Sequence, residues 1–525
     1  MAPNALPQLD RLDPEREWQA WQPDGRSRWD RKWAGHLYRR AAFGTNPDEL
    51  RKAEERGLQA TMDLLFQGEP GCDDLLPALL TAGESMASAN DTGQLRSWWL
   101  YCMLHGGHPL REKLTLFWHN HFATSIAKVQ STREMFQQNR TLRAHALGKF
   151  GPFLLAMSKD PAMLVWLDSN LNIKGRANEN YAREVMELFS LGVGNYTEKD
   201  IREAARAFTG WATGWDSDAE ASVFEFTPRL HDDGAKTVLG QTGNWNGDDV
   251  VRILLKQPAC ARFLVRKLYH FYVSETRKPP DSFLEPLAES LRKSDYDIAA
   301  LLRTMLSSRH FFSEHAFRQR IKSPVEYVLG AVRAVYRDYD PKDKKHRPLT
   351  QQNFVRQIDA MGQVLFAPPN VKGWRGAKAW LNTATVLARD NFAQSLAMGT
   401  LWGVGGNRRM AFSKPVAIED ADLETAEATP GAAKGASPKP MDKPEEAAPP
   451  GAFDPARIIH EEKVTNAKDI VRLLLDVYLP GGVRPPSEAK LIAFVEAGNP
   501  KGPALDRRVR ETVHAIMTMP EYQLA

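Results

Sequence analysis

Cysteine is scarce in this chain: Cys72, Cys102 and Cys260 are the whole complement. An odd number at wide, irregular spacing excludes a disulfide framework and a zinc knuckle, so three buried thiols are expected. Long apolar runs are missing too. Stretches such as "PFLLAM" fall far short of the ~20 residues that a membrane-spanning helix needs, and no span is expected. Charge of one sign is also lacking. With 69 basic against 65 acidic side chains the net charge is only +4, too balanced to suit a phosphate backbone, so no nucleic-acid partner is expected. The opening "MAPNALPQLDRLDPEREWQAWQP" carries Pro and Asp early and no apolar stretch behind a basic end. No secretory signal is visible in it, and the default location is cytoplasmic.

What is present is an ordinary globular composition, 42% hydrophobic and 26% charged over 525 residues. That length exceeds the ~100–200 residues of one typical domain, so two or three units are expected. Residues 1–25 read as an extended arm rich in Pro, Asp and Trp. From 26 to 412 helical periodicity alternates with Gly and Pro stops, and the fold class is mainly α, one large multi-helix domain. Asn46 before Pro47 marks one helix start, Pro109 opens another, and Thr197 with Asp200 forms a capping box. One interval, about 221–245, differs. There Phe224 and Phe226 alternate with polar residues ahead of an Asp233–Gly234 turn and a short β-branched run, which predicts a small inserted β-hairpin. Residues 413–452 are rich in Ala, Pro, Glu and Lys and hold no aromatics, the composition of a flexible linker. Three amphipathic helices over 453–525 make a C-terminal helical unit, independent or docked on the core.

Four stretches could carry chemistry. In "LREKLTLFWHNHF", Leu110, Leu114, Phe117 and His121 share one stripe, so His121 faces the core while His119 lies about 200° away and is the freer ring. The two could share an ion only where the helix breaks near Asn120. A hydrogen-bonded core histidine is the plainer reading of His121. In "NENYAREVMELFSLGVGNY", Glu179, Arg183 and Glu187 are spaced for a solvated ion-pair ladder, while Glu184 and Glu187 are spaced to act as paired carboxylates, either for a divalent cation or as acid and base. His231 and Asp232 precede the Asp233–Gly234 turn, where they could move protons or where the turn alone could require them. Asp248 is expected to cap the helix that follows it. The loop "APPNVKGWRGAKAW" gathers Asn370, Lys372 and Trp374, which with Asn180 and Arg183 are candidate pocket residues.

The blocks "HLYRRAAFG", "LREKLTLFWHNHFATS", "NENYAREVMELFSLGVGNYTEKDIREAARAFTGW", "HDDGAKTVLGQTGNW", "RFLVRKLYHFYVSE", "RIKSPVEYVLGAVRA" and "LFAPPNVKGWRGAKAWLNTATVLAR" occur in this order. Together they resemble the bacterial domain of unknown function 1800 family, and most closely its planctomycete-type members. The resemblance implies a large, mainly helical domain and supplies no reaction, cofactor or catalytic residue. It also implies a partner, because members are often encoded beside domain of unknown function 1501 proteins, which look like alkaline phosphatases and sulfatases. Many relatives carry export signals, which leaves a periplasmic or exported location open against the cytoplasmic default.

Two functions follow as expectations. The first is a metal-assisted hydrolase in which His119, His121, Glu184 and Glu187 hold a divalent metal, Glu184 also serves in catalysis, and His231 or Asp232 handles protons. The second is a non-catalytic helical partner or scaffold for the phosphatase- or sulfatase-like neighbour.

Overall fold

A computed structural model describes residues 8–25, 27–217, 220–335, 351–400 and 454–525. Helices dominate it, as the periodicity predicts. Local signals set many of their ends. Asn46 Oδ1 accepts the Glu49 N–H at 2.8 Å and Pro47 takes the first turn, satisfying a donor that the helix itself leaves free. Thr197 and Asp200 close their capping box as expected. The Asp248 expectation is corrected: Asn246 caps that helix in a reciprocal pair with Asp249. Asn246 has the extended backbone that a cap requires, while Asp248 already lies inside the first turn.

The helix Pro109–His121 is the centre of the molecule. Ten of its thirteen residues are buried, so neighbours surround it rather than flank a single stripe. Two of its charged side chains, Glu112 and Lys113, lie inside as well. Glu112 receives Arg143 at 2.6 and 2.9 Å and the Trp99 indole N–H at 3.1 Å, while Lys113 pairs with Glu326. All three cysteines are buried and free.

The inserted β structure is two hairpins where one was expected. Strands β1 (Trp211–Asp216) and β2 (Ala221–Phe226) pair antiparallel, with Trp211 opposite Phe226. Strands β3 (Lys236–Val238) and β4 (Gln241–Gly243) form a second pair. Phe224 and Phe226 therefore pair backwards to β1, and the Asp233–Gly234 turn leads into β3 instead of joining the two runs. Within the expected N-terminal arm, the described residues from 8 onward pack on the core through Trp18 and Trp21, both buried, and the Trp18 indole donates to the Phe283 carbonyl at 2.8 Å.

The expected linker, 413–452, lies outside the described residues. The terminal helices Ala467–Tyr478, Pro485–Glu496 and Pro503–Thr518 dock on the core. Ile470, Leu474, Val513 and Ile516 are fully buried in a cluster shared with Tyr327, Val328 and Phe392. At ~1.5–3 kcal/mol per buried aliphatic side chain, these contacts are the main force holding the unit down. Tyr327 adds a bond to the Met517 carbonyl at 3.2 Å, and His514 one to Asp390 at 2.9 Å. No described helix is long and apolar enough to cross a membrane.

Candidate functional site

The helix Asn180–Glu184 continues into a π-helical turn, Val185–Ser190. Its wider bonding carries the Leu191 N–H to the Met186 carbonyl at 2.9 Å, and such turns re-aim side chains at functional positions. Here the turn breaks the expected ladder. Arg183 binds Glu179 at 3.1 Å and Glu198 at 2.8 Å. Glu187 is directed elsewhere: its Oε2 accepts the Tyr196 hydroxyl at 3.1 Å, and Lys372 Nζ stands 3.8 Å from its Oε1.

Glu184 has a different environment. Burial raises its carboxyl above the ordinary value, and the neighbouring charge of Glu187 raises it further, against Lys372 and Arg183. Two carboxylates thus share one locality with unequal support. Glu187 has a hydroxyl donor and an ammonium neighbour, whereas Glu184 is the carboxyl that burial raises.

The stretch "HNH" fixes this arrangement from below. His119 Nε2 accepts the Phe366 N–H at 3.2 Å. Asn120 Oδ1 accepts the Trp374 N–H at 2.7 Å. His121 Nε2 bonds the Phe189 carbonyl at 3.1 Å, and because a carbonyl only accepts, that nitrogen carries the proton. Three consecutive residues therefore tether the loop that bears Lys372 and the π turn that bears Glu187. Beside the turn, Lys267 donates to the Leu188 carbonyl at 3.3 Å, and burial brings its ammonium down to about 7.

The four-ligand metal centre does not assemble. No group of three or more His, Cys, Asp or Glu side chains placed to hold a metal ion occurs among the described residues. The helix runs through Asn120 without a break and ends at His121. His119, expected to be the freer ring, is 1% exposed, because Trp99, Phe366 and Trp374 cover it. Burial lowers its basicity to about 3 and that of His121 well below the usual histidine range.

His231 and Asp232 have structural partners. The His231 Nδ1 meets the Thr209 carbonyl at 2.9 Å. Asp232 receives Arg206 at 2.8 and 3.1 Å, and that pairing holds its carboxyl down at about 2. A carboxylate so strongly ionised does not donate protons near neutrality. Of the expected pocket residues, Lys372 alone reaches Glu187. Asn370 Oδ1 accepts the Lys372 N–H at 2.9 Å and shapes its turn. Trp374 packs with Ile321 and Trp380, and Asn180 donates to Asp168 at 3.4 Å.

Tyr196 and Lys267 went unnoticed in the sequence. Tyr196 follows a glycine-rich loop nine residues beyond Glu187, and Lys267 comes from a distant helix, so neither makes a local pattern. A second polar cleft, lined by Tyr38, Glu49, Glu69 and Arg333, was also unmarked. Within it Arg333 already neutralises Glu49 at 2.6 Å.

No curated protein and no solved structure matches the chain. The family described as "Protein of unknown function (DUF1800)" matches residues 36–524, and the chain belongs to that family.

Proposed function

We propose that this protein is a hydrolase whose working groups are Glu184 and Glu187. The observation that carries the reading is the unequal pair: a Glu184 carboxyl raised by burial beside a Glu187 held by Tyr196 and Lys372. In the reaction Glu187 takes a proton from water as the water oxygen forms its bond to the electrophilic centre. Glu184 gives its proton to the departing oxygen as that bond breaks. Lys372 and Tyr196 orient the Glu187 carboxylate. Substrates of this chemistry are esters or glycosides whose leaving oxygen needs protonation.

The test is turnover of nitrophenyl esters, phosphates, sulfates and glycosides by the full chain. At least one class should be hydrolysed, with E184Q and E187Q each slowing it by about 10²–10⁴. Turnover of no class, or turnover untouched by either substitution, contradicts the reading.

A second reading, a non-catalytic scaffold for a phosphatase- or sulfatase-like partner, is favoured by apolar side chains left in solvent. Val386 and Leu387 are neighbours at 50% and 59% exposure, and Val193 is 78% exposed. A partner that co-purifies with the wild type and is lost in V386E/L387E, while E184Q retains it, would favour this reading over the first.

A further inference from the structure

Away from the carboxylate pair, a set of cations is buried where the helix Arg31–Ala41 meets the terminal helical unit. Arg39 is 8% exposed, and none of its three guanidinium nitrogens has a hydrogen-bond partner. Lys322 is 5% exposed and stands 3.6 Å from the Tyr522 ring centre. Both line one cavity, together with Thr45, Glu326, Tyr478 and Tyr522. Around them the charge is one-sided. Arg39, Arg389 and Arg318 all act against the Lys322 ammonium, and Glu326 favours it.

The carboxylates in reach are already committed. Glu326 is shared by Lys113 and Arg320, the latter at 3.1 Å, and its Oε2 also takes the Ser323 N–H at 2.7 Å. Glu275 binds Arg320 at 3.4 Å and the Ile321 N–H at 3.1 Å. Arg318 donates to the Gly482 carbonyl at 2.7 Å, and Arg389 to the Lys322 carbonyl at 2.8 Å. Arg39 lies over the face of Phe317, with ring centre 6.0 Å away, at the limit of a useful cation–π contact. A buried guanidinium without an anion or acceptor is strongly disfavoured, and a fork of N–H donors suits an oxyanion best.

We infer that this cavity is a binding site for a small oxyanion, a carboxylate, phosphate or sulfate group, held by Arg39 and Lys322. The cavity gives the centre of a water-sized sphere about 30 Å³ of room, roughly twice what a single water requires. That space suits a compact anion or the anionic end of a larger ligand. The carboxylate that lines the cavity leaves the site unsatisfied, because Glu326 is already held by Lys113 and Arg320.

The test uses the full chain in low-chloride buffer, titrated calorimetrically with sodium phosphate, sulfate or acetate, against sodium chloride at matched ionic strength. Saturable binding of at least one oxyanion is expected, with a rise in Tm that chloride does not reproduce. R39M should weaken that binding by at least about tenfold, and K322M should weaken it too, which keeps the test available if R39M does not fold. E184Q should bind as the wild type does, so this site stands or falls separately from the proposed hydrolase. No saturable binding of any of the three anions, or an affinity unchanged in both R39M and K322M, overturns the inference.

Discussion

Asn120 grips the Trp374 peptide at both ends: its Oδ1 accepts the Trp374 N–H at 2.7 Å and its Nδ2 donates to the Trp374 carbonyl at 3.4 Å. The fit needs Gly373 between them. That residue has φ +73°, and a Cβ there would overlap the Asn120 side chain and stand 2.6 Å from its carbonyl oxygen. Positive φ and a backbone collision both oppose any larger side chain. G373A should therefore cost about 2–4 kcal/mol, the sum of strain and a lost bond. N120A should cost about 1–3 kcal/mol by leaving the Trp374 peptide unsatisfied. Urea melts check both; either substitution within ~0.5 kcal/mol of wild type would show that the grip does not matter.

Glu326 is expected to be the most sensitive single charge in the core. It lies between Lys113 and Arg320, which are 0% and 2% exposed. Removing one member of a buried ion cluster leaves the others uncompensated, so E326Q should destabilise the protein by about 3–5 kcal/mol. These cations hold the Glu326 carboxyl below the usual range. Its stabilising contribution is thus present above the unfolded value and is lost as pH falls through the folded one. The gap between wild type and E326Q should accordingly close in acid. A loss under ~1 kcal/mol at neutral pH would contradict the assignment.

Asp160 should behave in the opposite sense. Its Oδ1 accepts Gln138 Nε2 at 2.7 Å and the Met163 N–H at 3.0 Å, yet burial pushes the carboxyl from 3.8 up to about 7. Between those values the folded state binds more protons than the unfolded state, so stability falls as pH rises through that window. D160N keeps the accepting oxygen and cannot ionise. It should be more stable than wild type above about pH 8, by about 1–3 kcal/mol, with the difference vanishing in acid. Equal pH–stability curves for the two proteins would refute this.

How much of this was legible in the sequence depends on range. The starts at Asn46, Pro109 and Thr197 were readable because a cap is a contract among four or five neighbouring residues. The spacing of Glu184 and Glu187 also implied that the two carboxylates are neighbours, and Glu187's charge does act on Glu184. The partners of Glu187 were hidden: an ordinary wheel sends Glu187 to the Arg183 ladder, whereas in the π turn it meets Tyr196 and Lys372. His119 misled for a related reason. Helical spacing gives the face a residue occupies, while the covering of that face by Trp99, Phe366 and Trp374 is decided by chain more than 200 residues away as well as by nearby helices. The second hairpin was missed because Asp-Gly is a strong turn signal wherever it occurs.

The central claim is that the Glu184 carboxyl is raised by burial and by the neighbouring charge of Glu187. Side-chain carboxyl resonances of glutamate-labelled protein, followed against pH, measure this directly. The account predicts that Glu184 titrates above the ordinary glutamate value and moves down toward it in E187Q, since one raising influence is removed. It also predicts a move further up in K372M. A Glu184 that titrates at the ordinary value and ignores both substitutions would contradict the account.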